Sequence, residues 1–290
     1  MSGLDSSSPD GATPAGLSRH GLLAAPVPLW LWMLLGAHAV ALVLVLLWPS
    51  LWPVALALAA CSHVRLFVAS LLPRGRWLGA NLRRLPVSAG RAVALTFDDG
   101  PDPHVTPEVL RILAAHSARA TFFCIGERAR AYPEIVRAII EAGHCVENHS
   151  DRHLPWFAFM TPRAMRREIA DAQARLTQLT GRAPAYFRAP AGMRNPWTGL
   201  VLASLRLRLV SWTRRGFDTV TRDPERVLER LLRNLTAGDI LLLHDGASAR
   251  DRDGQPVVLK VLTPLLQRLE REGLYVVPLP PPTASTLRAP

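Results

Sequence analysis

Between Leu29 and Leu47 the chain reads LWLWMLLGAHAVALVLVLL, 19 residues without a formal charge. Wound as a helix at about 1.5 Å per residue, such a run is about as long as the hydrocarbon core of a bilayer is deep. In lipid every backbone polar group must be satisfied within the segment, which leaves the helix as the one structure open to it. After a break at Pro49 and Ser50 comes a second apolar stretch, Leu51 to Leu72 (LWPVALALAACSHVRLFVASLL), interrupted by His63 and Arg65. An arginine two-thirds of the way along can snorkel toward a head-group layer. A secretory signal peptide is the alternative, but the apolar region begins late, is too long and lacks a small-residue cleavage site. We therefore expect residues 22–73 to form a membrane anchor of one or two transmembrane helices. Arg74, Arg76, Arg83, Arg84 and Arg91 follow the second stretch, whereas Arg19 alone precedes the first. By the positive-inside rule the rest of the chain then faces the cytoplasm from a bacterial-type inner membrane, with the periplasmic side as the alternative.

Charge narrows the partners. Lys and Arg number 34 against 23 Asp and Glu, a formal net charge of +11, which favours anionic partners such as lipid head groups and phosphorylated substrates. No nucleic-acid motif is present and the arginines are scattered, so nucleic acid is not expected among them. The three cysteines, Cys61, Cys124 and Cys145, have no CxxC spacing and read as small buried hydrophobes. Residues 1–21 and 280–290, rich in Ser, Gly, Pro and Ala, read as disordered tails.

From Arg91 onward short β-prone runs alternate with helical stretches. The strand candidates are Ala92–Phe97, Ala120–Ile125, His144–Asn148, Ala185–Arg188, Arg208–Trp212, Asp239–His244 and Leu274–Val277. Thr106-Pro107 and Asp223-Pro224 place an N-cap before a proline, and Gly143, Gly181 and Gly273 sit where helices stop. Seven such runs with helical connections imply parallel strands in an α/β fold, closed into a barrel or open.

The polar residues that break this pattern follow the strands, and in parallel α/β folds the carboxyl ends of the strands share one side. Asp98 and Asp99 follow the first run, His149 and His153 the third, Arg188 ends the fourth, Trp212 the fifth, and His244 and Asp245 the sixth. On a helical turn His149 and His153 would lie on one face and bind a metal with a carboxylate as third ligand; exposed or capping histidines are the plainer reading of the pair alone. Asp99 on a metal would stay ionised, leaving Asp98 to accept a proton, although Asp-Gly-Pro also builds ordinary turns. Arg188 would pair with Asp98. His244 is either a core residue or a general acid tuned by Asp218 or Asp245.

The motifs TFDDGP, NHSDRH, FRAPAG and LLLHDG, in that order, resemble those of the polysaccharide deacetylases of carbohydrate esterase family 4, over about Val87 to Pro278. The resemblance implies a catalytic domain over 87–278 folded as a distorted (β/α)7 barrel, and a divalent metal, most often zinc. The implied reaction is hydrolysis of N-acetyl groups on amino sugars. It makes Asp98 the general base, oriented by Arg188, and Asp99, His149 and His153 the metal ligands. His244 becomes the general acid, and Ala191, where many members carry tyrosine, supplies its backbone amide to the oxyanion. Trp212 and Asp218 fit the fourth motif, whereas Arg215 stands for an acidic residue and Thr219 for an aromatic one, which weakens the case for a long polymer groove. The expectation is a membrane-anchored, metal-dependent hydrolase that removes an N-acetyl or other N-acyl group from an amino sugar, polymeric or lipid-linked. A periplasmic peptidoglycan or exopolysaccharide deacetylase and a non-catalytic sugar-binding scaffold of the same fold are the alternatives.

Overall fold

Two rows of buried apolar side chains, AVALTFD and ILLLH, lie side by side at the centre of the molecule and set its architecture. The structure, a computed structural model, describes residues 29–282. The tail expected over 1–21, the start of the anchor segment through residue 28, and residues 283–290 of the C-terminal tail lie outside the described residues.

AVALTFD is β1 (Ala92–Asp98), and ILLLH is β7 (Ile240–His244). Around them stand β2 (Thr121–Cys124), β3 (Cys145–Asn148), β4 (Tyr186–Phe187), β5 (Arg208–Leu209), β6 (Arg214–Arg215) and β8 (Tyr275–Val277). Every pairing is parallel, in the order β5-β4-β3-β2-β1-β7-β6, with β8 against the first half of β1. Strands covered on both faces read as continuous apolar runs rather than alternating ones, which is why β1 and β7 are legible from their residues. The helices that cover them are α3 (Val105–Ala115), α4 (Gly126–Ala131), α5 (Pro133–Glu141), α6 (Pro162–Thr180), α7 (Thr198–Ser204), α8 (Pro224–Leu232) and α9 (Val257–Arg271). The result is a curled α/β sheet of the (β/α)7 type. All seven expected strands form, and β6 is an eighth that had no apolar signature, being two arginines paired to Leu241 and Leu242.

Local chemistry explains the helix ends. Asp223 caps α8, accepting from the N–H groups of Glu225 and Arg226. Thr106 does not cap: α3 starts one residue earlier, Asp102 accepts from His104 and Val105 N–H at 2.9 Å, and the Thr106 hydroxyl turns inward to Asp245. Gly181 ends α6 in the left-handed region at φ 69°.

The sheet is not closed by its own strands. The segment before β1 bridges the open edges: Leu82 pairs with Val210 beyond β5, and Arg84 pairs with Asp239 before β7. Leu82 N–H donates to Leu209 O, Ser211 N–H to Leu82 O, and Leu85 N–H to Gly238 O. The buried Asp239 also receives ion pairs from Arg84 at 2.8 Å and Arg214 at 2.9 Å.

Preceding this segment are two helices, α1 (Leu29–Leu47) and α2 (Trp52–Ser70), packed on each other as a hairpin and both long and apolar enough to cross a membrane. Of their side chains only Trp30, Ala41 and Ala55 are buried. Cys61 is exposed on α2, contrary to the expectation of three buried thiols; Cys124 is buried and Cys145 half-buried. The hairpin meets the barrel at its base, where Trp30 sits edge-on to Trp197 at 6.1 Å and Arg194 N–H donates to Ser70 O.

Candidate active site

The parallel register places the tip of β1 beside the tip of β7, with Asp98 opposite His244. The chain then turns sharply, with Asp99 in the left-handed region at φ 70°. Two neighbours hold it there. Arg128 Nη1 donates to Asp99 O at 2.9 Å and to Gly246 O at 2.8 Å, and a Cβ on Gly246 would stand 1.9 Å from that same carbonyl oxygen. Gly100 is equally constrained, since a Cβ there would lie 2.2 Å from Asp245 Oδ2. The two carboxylates thereby separate, one held against the sheet and one offered to the loop after β3.

That loop carries both histidines. It is not a helical turn, as their spacing had suggested; it bends through Ser150 at φ 65° and His153 at φ 53°. The bend still brings His149 and His153 together, their rings 4.9 Å apart, and each Nε2 lies 3.2 Å from Asp99 Oδ1. His149 Nδ1 is 2.8 Å from Arg188 O, and a carbonyl only accepts, so Nδ1 carries the hydrogen and Nε2 is left with its lone pair. A bare nitrogen and a carboxylate oxygen face one another, and Asp99 Oδ1 is buried with no hydrogen-bond donor among the described residues. Such a pair calls for a positive charge between them. The titration preferences show the same demand for positive charge: burial works against each charged form, yet the contact with His149 draws Asp99 far below the carboxylate range, and Asp98 and Asp99 draw His149 upward, toward a proton in the place a cation would take. His153 is pushed down by burial and by His149, so it stays neutral. One carboxylate oxygen and two imidazole nitrogens within 4.8 Å of one another form a donor set suited to a divalent metal of the zinc type.

Asp98 is buried beside this cluster but turned to Arg188, whose Nη1 donates to Oδ1 at 2.6 Å and to the Thr96 hydroxyl at 2.8 Å. The guanidinium lies 4.1 Å over the Phe123 ring, and Nη2 donates to Ser211 O at 3.2 Å. Across the cleft Asp218 holds His244 twice, accepting from its backbone N–H at 2.8 Å and from Nδ1 at 2.9 Å. Burial disfavours the imidazolium, but Asp218 outweighs it and raises the His244 pKa. Of the two carboxylates considered for this role, Asp218 takes it. Asp245 instead accepts from the Thr106 hydroxyl at 2.6 Å, and burial pushes it up to about 7.

The rim is formed by the turn after β4. Ala191 stands exposed at φ 53°, and its N–H has no acceptor among the described residues. Next to it Gly192, at φ 73°, leaves no room for a side chain: a Cβ would lie 2.5 Å from Trp212 Cη2 and 2.7 Å from Pro73 Cβ. Trp212 is buried, and Arg215 stacks between it and Phe217, at 5.4 and 4.9 Å from the two rings.

The polysaccharide deacetylase family model matches residues 87–210. Over 204 residues the chain is 35% identical to a chitooligosaccharide deacetylase of Bradyrhizobium sp., covering 67% of this chain and 91% of that protein. The chain belongs to the polysaccharide deacetylase family. Membership places it among hydrolases of carbon–nitrogen bonds other than peptide bonds. A peptidoglycan-N-acetylglucosamine deacetylase of Bacillus cereus is 31% identical over 189 residues, covering 64% of this chain and 85% of the relative. Among solved structures, a family 4 carbohydrate esterase from Streptomyces lividans in complex with acetate superposes with a TM-score of 0.59 at 31% identity, over 66% of this chain and 94% of that one.

Against the family background, the residues singled out in the sequence, Asp98, Asp99, His149, His153, Arg188, Ala191, Trp212, Asp218 and His244, all line or support one cleft. Two contributors carried no sequence signal. Thr96 holds Arg188 from inside β1 and Arg128 clamps the Asp99 carbonyl from α4. Each acts through a backbone group or a buried hydroxyl, contacts that no local pattern announces. Asp245, considered as a partner of His244, packs beneath Gly100 instead.

Proposed function

We propose that this deacetylase family member is a membrane-anchored, metal-dependent hydrolase that removes the N-acetyl group, or another small N-acyl group, from an amino sugar presented at the membrane surface. Residues 22–73 serve as the anchor and 87–278 as the catalytic domain. The observation that carries the reading is the division of labour at the tip of β1: Asp99 and two histidines converge with bare acceptor atoms, while Asp98, one residue away, is tied to Arg188. A binding module has no use for that second, separately held carboxylate.

A divalent metal held by Asp99, His149 and His153, zinc by its donor set, would polarise the acyl carbonyl and acidify a water. Asp98 takes the proton from the attacking water, kept in place by the 2.6 Å bond from Arg188. The unpartnered N–H of Ala191 donates to the developing oxyanion. His244 protonates the departing amine from Nε2, while Asp218 holds Nδ1 and supports the imidazolium.

Three features favour a small, membrane-tethered substrate over a long polymer. Pro73, three residues past the end of α2, touches the rim glycine Gly192, so the hairpin ends beside the cleft. Arg74 Nη1 donates to Thr213 O, next to Trp212. Arg215 fills the space between two rim aromatics that a sugar would otherwise stack on. Arginines after the spans favour a cytoplasmic barrel, where lipid-linked or nucleotide-linked amino sugars are accessible. The test is release of acetate and formate by the detergent-solubilised full chain from acylated amino sugars, free and lipid-linked. Failure on every acylated sugar under metal-replete conditions refutes the activity, and turnover of long polymers alone refutes the substrate class. A C-terminal reporter active only after export tests the side: a signal reverses the cytoplasmic assignment.

A further inference from the structure

Arg188 and Arg194 are both almost fully buried, yet only Arg188 has a carboxylate beside it. Among the described residues the Arg194 guanidinium has a single partner, the carbonyl of Gly75, its Nε is buried with no acceptor, and burial pushes its pKa down to about 10. A buried cation without a counter-charge is costly unless something supplies one. The space beside it is a pocket of about 450 Å³ between α7, β5 and the linker at residues 78–82. Two more arginines line it, Arg206 and Arg208, and no acidic residue does; their backbone N–H groups bond to Ala203 O and Ala185 O, but neither guanidinium has a hydrogen-bond or ion-pair partner among the described residues. Leu78 separates this pocket from an apolar cavity of about 130 Å³ inside the hairpin, lined by Met33, Leu34, Leu58 and Leu66, with Arg65 stacked 4.4 Å from Trp77 at its barrel end. Three unpaired cations next to an apolar slot between two membrane-length helices match an amphiphile with an anionic head.

We infer that the pocket formed by Arg194, Arg206 and Arg208 binds the phosphate of an anionic membrane lipid, whose chain enters the cleft between α1 and α2. The site is distinct from the catalytic cleft, and it rests on the reading of the hairpin as a membrane anchor. The lipid would supply the counter-charge that Arg194 lacks and brace the linker that closes the barrel.

The test uses the full chain, delipidated in neutral detergent, with phosphatidylglycerol, phosphatidylcholine or inorganic phosphate added, and reads bound lipid by native mass spectrometry together with the thermal midpoint. One phosphatidylglycerol per chain, a higher midpoint, and at least tenfold weaker binding in the R206Q/R208Q variant are expected. Arg76→Gln, an exposed arginine of the same linker outside the pocket, should leave binding within twofold. Equal retention of phosphatidylcholine, unchanged binding in R206Q/R208Q, or an equal loss in Arg76→Gln overturns the site. Stabilisation by inorganic phosphate with none from the lipid overturns the lipid as its source. Extraction by alkaline carbonate separates the two readings: a chain released from membranes that still selects phosphatidylglycerol loses the anchor and keeps the site, whereas a retained chain without selectivity loses the site and keeps the anchor.

Discussion

Replacing Asp98 by asparagine separates the proton-acceptor role proposed for it from the metal-ligand role proposed for Asp99, His149 and His153 more cleanly than any other single change. Asn is isosteric, and its amide oxygen still accepts from Arg188 Nη1, now 2.6 Å from Asp98 Oδ1. What changes is the counter-charge: the fully buried guanidinium of Arg188 keeps its hydrogen bond but loses the carboxylate opposite it, and a buried charge left uncompensated costs about 3–5 kcal/mol. At about 2–4 °C per kcal/mol for a domain of this size, that lowers the melting temperature by roughly 6–20 °C. The metal cluster should be untouched, because Asp98 Oδ2 is 3.8 Å from His149 Nε2 whereas Asp99 Oδ1 is 3.2 Å from both histidines. Turnover should not survive: losing a positioned general base costs about 10²–10⁴ in kcat, or about 3–5 kcal/mol of transition-state stabilisation. Deacetylation kinetics and metal content are measured on the same Asp98→Asn and Asp99→Asn preparations. Asp98→Asn should hold one metal per chain and be nearly inactive, whereas Asp99→Asn should lose both. An Asp98→Asn protein that turns over within threefold of the parent, or that loses metal as readily as Asp99→Asn, would show that the two aspartates do not divide the work.

Other perturbations test the remaining contacts. Asp218→Asn removes the group that raises His244; a general acid must be protonated to act, so the alkaline limb of the kcat–pH profile should move to lower pH and kcat should fall at least tenfold. The same pair contributes stability: a histidine whose pKa is raised in the folded state stabilises below its unfolded pKa, and that stability is lost as pH rises through the folded value, so Asp218→Asn should flatten the alkaline decline in thermal midpoint. Gly192→Ala forces a side chain into Trp212 and Pro73 at a left-handed φ, costing about 1–3 kcal/mol by strain alone, and should lower kcat more than metal content; unchanged activity would mean that the Ala191 amide needs no fixed position. Removal of metal by a chelator should abolish turnover and lower the thermal midpoint, since a ligand held at about 100 times its Kd stabilises by about 2.7 kcal/mol, and both should return on adding zinc.

The residues that could be read in advance are those whose signal is local. β1 and β7 announce themselves because strands covered on both faces must be apolar throughout, and a carboxylate or histidine ending such a run stands out. Long-range effects were invisible. His149 and His153 converge through two left-handed residues instead of a helical turn, because Asn148 Oδ1 and the Ser150 hydroxyl accept from the Ser150 and His153 backbone N–H groups and bend the loop. Asp218 and Asp245 were equal candidates for His244, and only the packing of Thr106 against Asp245 distinguishes them. β6 has two residues, both arginine, and forms because β7 offers a free edge and Asp239 a counter-charge.

The arginines after the second apolar stretch illustrate how one sequence feature can serve two purposes. As a group they carry the positive-inside signal, but the fold has spent several of them. Arg84 is bound to Asp239, Arg91 to the carbonyls of Glu272 and Gly273, and Arg83 to the carbonyl of Arg74. The linker that holds them is also the element that bridges β5 to β7, so the barrel acquires its closing segment from the chain that has just left the hairpin. Pro73 of that linker presses on Gly192, and Asn81 binds Pro73 O, Gly75 O and the Ser211 hydroxyl. Because Ser211 O in turn accepts from Arg188, an unbroken path of hydrogen bonds runs from the base of the hairpin to the guanidinium that holds Asp98. A linker free of such bonds would leave the cleft indifferent to the hairpin. Here the bonds of Asn81 and the contact of Pro73 with Gly192 tie the segment after α2 to the residues that position the cleft.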